Sequence, residues 1–285
     1  MEQRKPTLRQ RELSMRLRRL REDKAKLSVA QVTDKLMCSA TKVSRIETGA
    51  RRVSLRDVRD LCQIYGVGEA ETAQLMDLAR RALEDGWWAR YDDLGVGPYF
   101  DLEQEAKAIT YYSMSFIYGL LQTDEYAGAI IRSIYPLMDE QVLKGRLEAR
   151  IRRQELLERP GRPRVRVLMD EAVLRRQVGG RKVMSAQLGK IRDIAAAEKV
   201  IVQIVPFSSG AQASSDSNMT LFEFGDVAAP SIVHVEGLMG AQFMDRQESV
   251  DRYREVLDNL RDAALSPRES QVLITEIKDA HDRNA

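Results

Sequence analysis

Ser39-Ala40-Thr41-Lys42-Val43-Ser44-Arg45-Ile46-Glu47-Thr48-Gly49 is a short polar stretch with two apolar residues in its interior. As a helix it puts Val43 and Ile46, three apart, on one face. Thr41, Lys42 and Arg45 share another face at spacings of three and four, with Ala40 and Ser44 beside them. Two cations and hydroxyls on one face suit phosphates and the acceptor atoms of base edges. Ser39 is a good N-cap and Gly49 a good stop.

Working outward, the residues before this stretch supply a partner for it. Ser28 opens a helix with Gln31 three residues on, a capping-box spacing, and Val32 and Leu36 continue its inner face. Met37-Cys38 is a tight turn. Two capped helices joined by such a turn, the second with an exposed basic face, read as a helix-turn-helix whose second helix recognises DNA. Residues 11–25 give a first helix from the Leu13, Leu17, Leu20 stripe. Ser54 opens a fourth over Leu55, Val58, Leu61, Cys62 and Tyr65, stopped by Gly66 and Gly68. A fifth runs from Glu69 to Glu84. Residues 1–10 form a loose polar arm.

The charge is divided in the same way. The net charge is +2, yet residues 1–60 hold 17 Lys/Arg against 8 Asp/Glu, and the other 225 residues hold 28 against 35. A basic first part on an acidic remainder points to a polyanion partner for the first part alone. Two cysteines, Cys38 and Cys62, fall in helical patterns without ligand-like companions, which fits a reducing cytoplasm. No apolar run approaches the roughly 20 residues that span a bilayer. A cytoplasmic protein, nucleoid-associated when DNA-bound and without a membrane partner, is the expectation.

The run from Leu17 to Val67 resembles the five-helix DNA-binding domain of the lambda-repressor-like (xenobiotic-response-element, XRE) regulators. SRIETG (Ser44 to Gly49) and SLRDVRDLCQIYGV (Ser54 to Val67) resemble a large actinobacterial group in which this domain precedes a C-terminal domain of unknown function. That group includes WhiJ-like developmental regulators, also described as antitoxin-like. The resemblance implies that Ala40, Thr41, Lys42, Ser44 and Arg45 face the major groove. Arg51 and Arg52, in the loop that follows, would hold phosphate. Val32, Leu36, Val43, Ile46 and Gly49 are then structural. Glu47, acidic on a DNA-facing element, is expected to pair back with helix 1 through Arg21. Four positions depart from the family pattern. Lys26-Leu27, with one extra residue before it, stands where Gly-Leu closes helix 1. Thr33 replaces a small residue facing helix 3, Met37 the turn glycine, and Val29 a polar residue that opens helix 2 toward a phosphate.

Gly86-Trp87-Trp88-Ala89-Arg90-Tyr91, then Asp92 to Pro98, reads as a hinge with a sticky end. Its tryptophans either pack between two domains or line a ligand site. Glu103 to Tyr112 reads as helical. GLLQT with Tyr126-Ala127 resembles a signature of the same C-terminal domain, and so do Asp170 to Arg175, Val202 to Phe207 and Leu265 to Ser270. Residues 139–158 form a basic amphipathic helix with an apolar stripe of Val142, Leu143, Leu147, Ile151, Leu156 and Leu157. Lys144, Arg146, Arg150, Arg152 and Arg153 occupy its other faces, as a solvated surface or a second DNA or partner surface. Strands are expected at 165–169, 200–205, 219–224 and 231–236. Helices are expected at 184–197, 246–264 and 268–281, with a polar loop at 208–217.

The expected fold is mostly α: a five-helix helix-turn-helix bundle at 1–84, a linker at 85–100, and an α+β domain at 101–285 with a small sheet of about four strands flanked by helices. Its domain would dimerise, sense a small-molecule effector or receive a small protein encoded nearby. Trp87, Trp88, Tyr118 and His234 are the candidates for ligand or partner contact. No Cys/His cluster has metal-ligand spacing, and neither a G-x-S-x-G nor a P-loop occurs. The expectation is a homodimeric regulator of double-stranded operator DNA, not an enzyme, with no metal and no cofactor. The alternative is an antitoxin-like module that chiefly binds a small neighbouring protein, with DNA binding as autoregulation.

Overall fold

The structure is a computed structural model that describes residues 7–84, 86–88, 91, 97–211, 217–225, 230–237 and 240–283. Residues 1–6 of the expected arm, 92–96 of the hinge and 212–216 of the polar loop lie outside the described residues. The chain divides into two units between Glu105 and Ala106, five residues beyond the expected boundary.

The first unit opens with α1 (Leu8–Arg19), capped by Thr7 in a full capping box with Gln10. It continues for one π-helical turn, Leu20–Ala25, and closes on Lys26 at φ 52°. A π turn accommodates an extra residue without breaking the helix, and it lies where the resemblance led us to expect one, before Lys26-Leu27. Lys26 adopts the left-handed conformation that a glycine takes without steric cost. α2 (Val29–Leu36) has the Ser28–Gln31 capping box, and α3 (Ala40–Glu47) is capped by Ser39, whose hydroxyl accepts from Lys42 N at 3.2 Å. α4 (Leu55–Ile64) and α5 (Glu69–Leu83) complete the bundle. Leu13, Leu17, Val32, Val43, Ile46, Val58, Leu61, Cys62, Leu75 and Ala79 are all buried in one core.

After α5, Trp87 stacks on Phe100 of α6 (Gly97–Glu105) at 5.3 Å. The Trp88 ring folds back over Gly86, where a Cβ would meet it at 2.2 Å. α6 belongs with the bundle. Its Asp101 carboxylate accepts from Leu8 N at 2.6 Å, and Glu105 pairs with Arg9 at 2.6 Å.

The second unit is a six-stranded mixed sheet in the order β3-β2-β1-β4-β5-β6, where the sequence suggested about four strands. β1 (Ala108–Ser113), β2 (Arg164–Asp170) and β3 (Ile201–Val205) are parallel. β4 (Asn218–Glu223), β5 (Ile232–Gly237) and β6 (Gly240–Met244) continue antiparallel from β1. β1 corrects the reading of Glu103 to Tyr112 as helix: α6 ends at Glu105, and Ile109 and Tyr112 are buried as strand residues. β6 is the other strand absent from the sequence reading.

β1 connects to β2 through α7 (Asp124–Ile134) and α8 (Glu140–Arg153), and β2 to β3 through α9 (Glu171–Arg175) and α10 (Arg181–Ala196). Both connections step the same way along the sheet, so right-handed crossover puts these helices on one face. α11 (Gln247–Ala263) covers the other, its Val250, Leu257 and Leu260 meeting Tyr112, Leu168, Met219, Leu221 and Val233. α12 (Pro267–Asp282) packs on α10 and β3.

The GLLQT segment is a buried turn held by amide side chains. Gln187 donates to Leu121 O and accepts from Thr123 N, both at 2.7 Å. Gln122 donates to Ile117 O at 2.6 Å, and Lys190 donates to Gln122 O at 2.7 Å. Irregular backbone in a core needs such partners for its polar groups, which accounts for the polar residues in this segment.

Candidate nucleic-acid interface

α3 is held from behind and exposed in front. Val43 and Ile46 are fully buried against Val32, and half-buried Leu36 packs on the same core. Gly49, at φ 73°, ends the helix with its N–H on Ile46 O at 3.2 Å. Thr48 and Arg51 carry the chain round by donating backbone N–H groups to Ser44 O and Arg45 O, at 3.0 and 3.1 Å. Val53, buried, anchors the far end of this loop.

Glu47 is the polar part of the anchor. Its two carboxylate oxygens accept from Arg21 Nε at 2.6 Å and Nη2 at 2.8 Å. Arg21 also donates to Leu27 O and to Glu22, each at 2.9 Å. The hydrogen bonds it donates to Glu47 hold the Arg21 guanidinium above its ordinary pKa, against the desolvation that would lower it. The expected pairing with helix 1 is present as a two-pronged bond, the geometry in which an arginine fixes orientation as well as charge. It ties α3 to the π turn across 26 residues of sequence.

Ala40, Thr41, Ser44 and Arg45 all stand exposed on the outer side of α3, and Arg51 and Arg52 are exposed in the loop after it. Lys42 differs. It is half-buried, and its Nζ reaches Asp57 Oδ1 of α4 at 2.5 Å. Burial would raise the Asp57 pKa, but hydrogen bonds from Lys42 and Ser54, with the charges of Lys42 and Arg51, hold it below the usual carboxylate range. Lys42 therefore braces α3 to α4 in this structure, instead of standing with Arg45. The departures resolve too. Thr33 turns its hydroxyl back to Val29 O at 2.6 Å, and Val29 is half-buried on the core, so neither offers a polar group outward. Met37 takes the left-handed turn position at φ 49° with its side chain 91% exposed.

Sequence reasoning missed Asp57 as part of this surface. It stands in the first turn of α4, three residues after its cap Ser54, and nothing local links it to Lys42. Among the other candidates, Tyr118 and His234 lie in the second unit, both buried, and Trp87 and Trp88 lie in the first. Cys38 and Cys62 are free thiols. Among the described residues no group of three His, Cys, Asp or Glu side chains could hold a metal, and no helix is long and apolar enough to cross a membrane.

An eight-residue helix, about 12 Å long at its ordinary rise, with a polar outer face and a rigid apolar back, fits the major groove of B-DNA. The arrangement is that of a helix-turn-helix DNA-binding regulator, and a helix-turn-helix domain model matches residues 12–75. The rest of the chain gives the family. A domain of unknown function, DUF5753, matches residues 96–276, and the protein belongs to that family. No curated protein and no solved structure matches the chain.

Proposed function

We propose that this protein is a sequence-specific transcription regulator of the XRE type that binds double-stranded operator DNA in the cytoplasm as a homodimer. α3 enters the major groove with Thr41, Ser44 and Arg45 toward base edges, and Arg51 and Arg52 take phosphates on the flank. The observation that carries this reading is the exposed Thr41–Ser44–Arg45 face on a helix pinned from behind by Arg21–Glu47. The second unit, with no catalytic role, decides when the helix binds, through dimerisation and a small-molecule or protein input. Genome-wide mapping of bound sites, followed by binding assays on the recovered sites, tests it. Arg45→Ala should cost about 1–3 kcal/mol on the cognate site and relax base choice there. A variant that binds the recovered sites with unchanged affinity and selectivity would overturn the assignment of this face.

One observation favours a second reading, an antitoxin-like module that holds a small neighbouring protein. Ile134, Tyr135 and Leu137, in and after the end of α7, are exposed together, Leu137 at 98%. Apolar surface of this kind, unlike scattered single residues, marks protein contacts. Co-purification from native cells tests this reading; a protein recovered alone, whose operator affinity ignores the neighbouring gene's product, would exclude it.

A further inference from the structure

The second unit encloses charge where its sheet meets α11. Arg166 of β2, Thr110 of β1 and Leu221 of β4 stand in one row of the strand register. Leu221 lies on the face that α11 covers, so Arg166 and Thr110 share that face. Glu223, two residues beyond Leu221, is on it too. Opposite them Arg254, Asp258 and Arg261 follow at spacings of four and three, which is one stripe of α11. Between the strands and that stripe lies a cleft of about 200 Å³, lined by these side chains.

The charges in this cleft do not balance. Arg254 is answered by Glu223 at 3.3 Å and by Asp251 at 3.0 Å. Arg261 is answered by Asp258 at 2.7 Å and by Asp262 at 3.4 Å. Arg166 is half-buried, and among the described residues no carboxylate comes within ion-pair range of it. Its one hydrogen bond goes to a neutral group, from Nη1 to Gln203 Oε1, and Gln203 is fixed in turn by donating to Leu265 O at 3.0 Å. Nε and Nη2 of Arg166 have no protein partner among the described residues, and neither has the half-buried Thr110 hydroxyl. Burial, then the charge of Arg261, lowers the Arg166 pKa, and Asp258 only partly offsets them. A cation removed from water without a counterion is costly, and the cost falls when an anion arrives.

We propose that this cleft, between α11 and the floor of β1, β2 and β4, binds a small oxyanion, a phosphate or a short carboxylic acid, through the Arg166 guanidinium and the Thr110 hydroxyl. The two donors project from neighbouring strands about 4.8 Å apart, so both reach one oxyanion. A guanidinium edge matches either oxyanion. The 200 Å³ of the cleft is room for about seven waters and falls below the roughly 300 Å³ at which pockets for drug-sized ligands begin, so the ligand has few heavy atoms. Bound there, it lies under α11 and holds that helix to the sheet. The site gives a chemical class to the small-molecule input proposed above, and rests on that reading only for its regulatory role.

The test is isothermal titration of the full-length protein with sodium phosphate and with sodium acetate at constant ionic strength, with hydrogen exchange of α11 amides to place the site. Saturable binding of at least one probe is expected, and the tighter of the two distinguishes phosphate from carboxylate. At saturation α11 exchange should slow, because the anion must leave before the helix lifts from the sheet. Arg166→Met should weaken binding at least about tenfold, the scale of one charge-assisted contact. Asp258→Asn removes the carboxylate that offsets Arg261 and should tighten binding by roughly threefold. No saturable binding of either probe, binding that leaves α11 exchange unchanged, or equal binding by Arg166→Met overturns the proposal. Should Arg166→Met fail to fold, unchanged or weaker binding by Asp258→Asn overturns it. Operator affinity is measured separately: anion binding without operator binding would sink the proposed function and leave this site standing, and the converse would do the opposite.

Discussion

Replacing Glu47 by alanine tests the central claim about the recognition helix, that a buried ion pair holds its back. The side chains of Arg21 and Glu47 are only 10% and 6% exposed. Removing one partner of a buried pair costs about 3–5 kcal/mol, because the remaining charge is left uncompensated. Here Arg21 would keep Leu27 O and the more exposed Glu22, so the lower end applies, about 3 kcal/mol. The chain has two units, so a single global melting temperature is a poor readout. Native-state hydrogen exchange resolves the units separately. Amides of α1, α3 and α4 in Glu47→Ala should lose protection by roughly a hundredfold, the equivalent of that energy, while β1 and β2 amides keep theirs. Cognate DNA affinity should fall with it. The double replacement Arg21→Met with Glu47→Leu removes both charges and should come within about 1 kcal/mol of the native protein. The reasoning is refuted if Glu47→Ala changes α3 protection by less than about fivefold, or if the double replacement costs as much as the single one.

Three further outcomes follow from the same surface and its supports. Arg51→Ala should weaken cognate and random DNA alike and reduce the slope of log affinity against log salt by about one unit; a loss confined to the cognate site would make Arg51 a base reader instead. Asp57→Asn should free Lys42 for a phosphate, raise non-specific affinity and steepen the salt slope by about 0.9, as anisotropy titrations would show; an unchanged slope would mean that Asp57 does not restrain Lys42. Asp101 is raised to about 6, first by burial and then by Glu105, against the hydrogen bond from Leu8 N. A carboxyl whose folded pKa lies above its unfolded value binds protons more tightly in the folded state. Its contribution is therefore present below the unfolded pKa and is lost as pH rises from about 4 through about 6. The first unit should lose up to about 2–3 kcal/mol over that window, and Asp101→Asn, still able to accept from Leu8 N, should flatten the profile. Exchange rates of α1 amides at pH 4.5 and 7.5 measure it, and a native-like slope in Asp101→Asn would reject the attribution.

Much of the first unit was legible because its signals are local. Ser28, Ser39 and Ser54 each cap a helix through the N–H of a residue three positions on, a contact within one turn. Val43 and Ile46 carry the inward face by spacing alone. The second unit misled where neighbours override local preference. Glu103 to Lys107 are good helix formers and hid a short strand beginning at Ala108. Gly240 to Met244 has no strand-like alternation, and it is a strand because β5 presents unpaired backbone groups to it.

The sequence by itself determined the helix-turn-helix and its exposed cations, because periodicity, caps and charge act over three to four residues. The tertiary structure alone decided what those cations do. Lys42 meets Asp57 fifteen residues away, and only the crossing of α3 and α4 brings them together. The α8 arginines read as a solvated surface or a second DNA or partner surface, yet Arg153 is buried, since a helix's own pattern of charge says nothing about what it faces. Charge written along a chain is local, but its desolvation depends on everything packed around it.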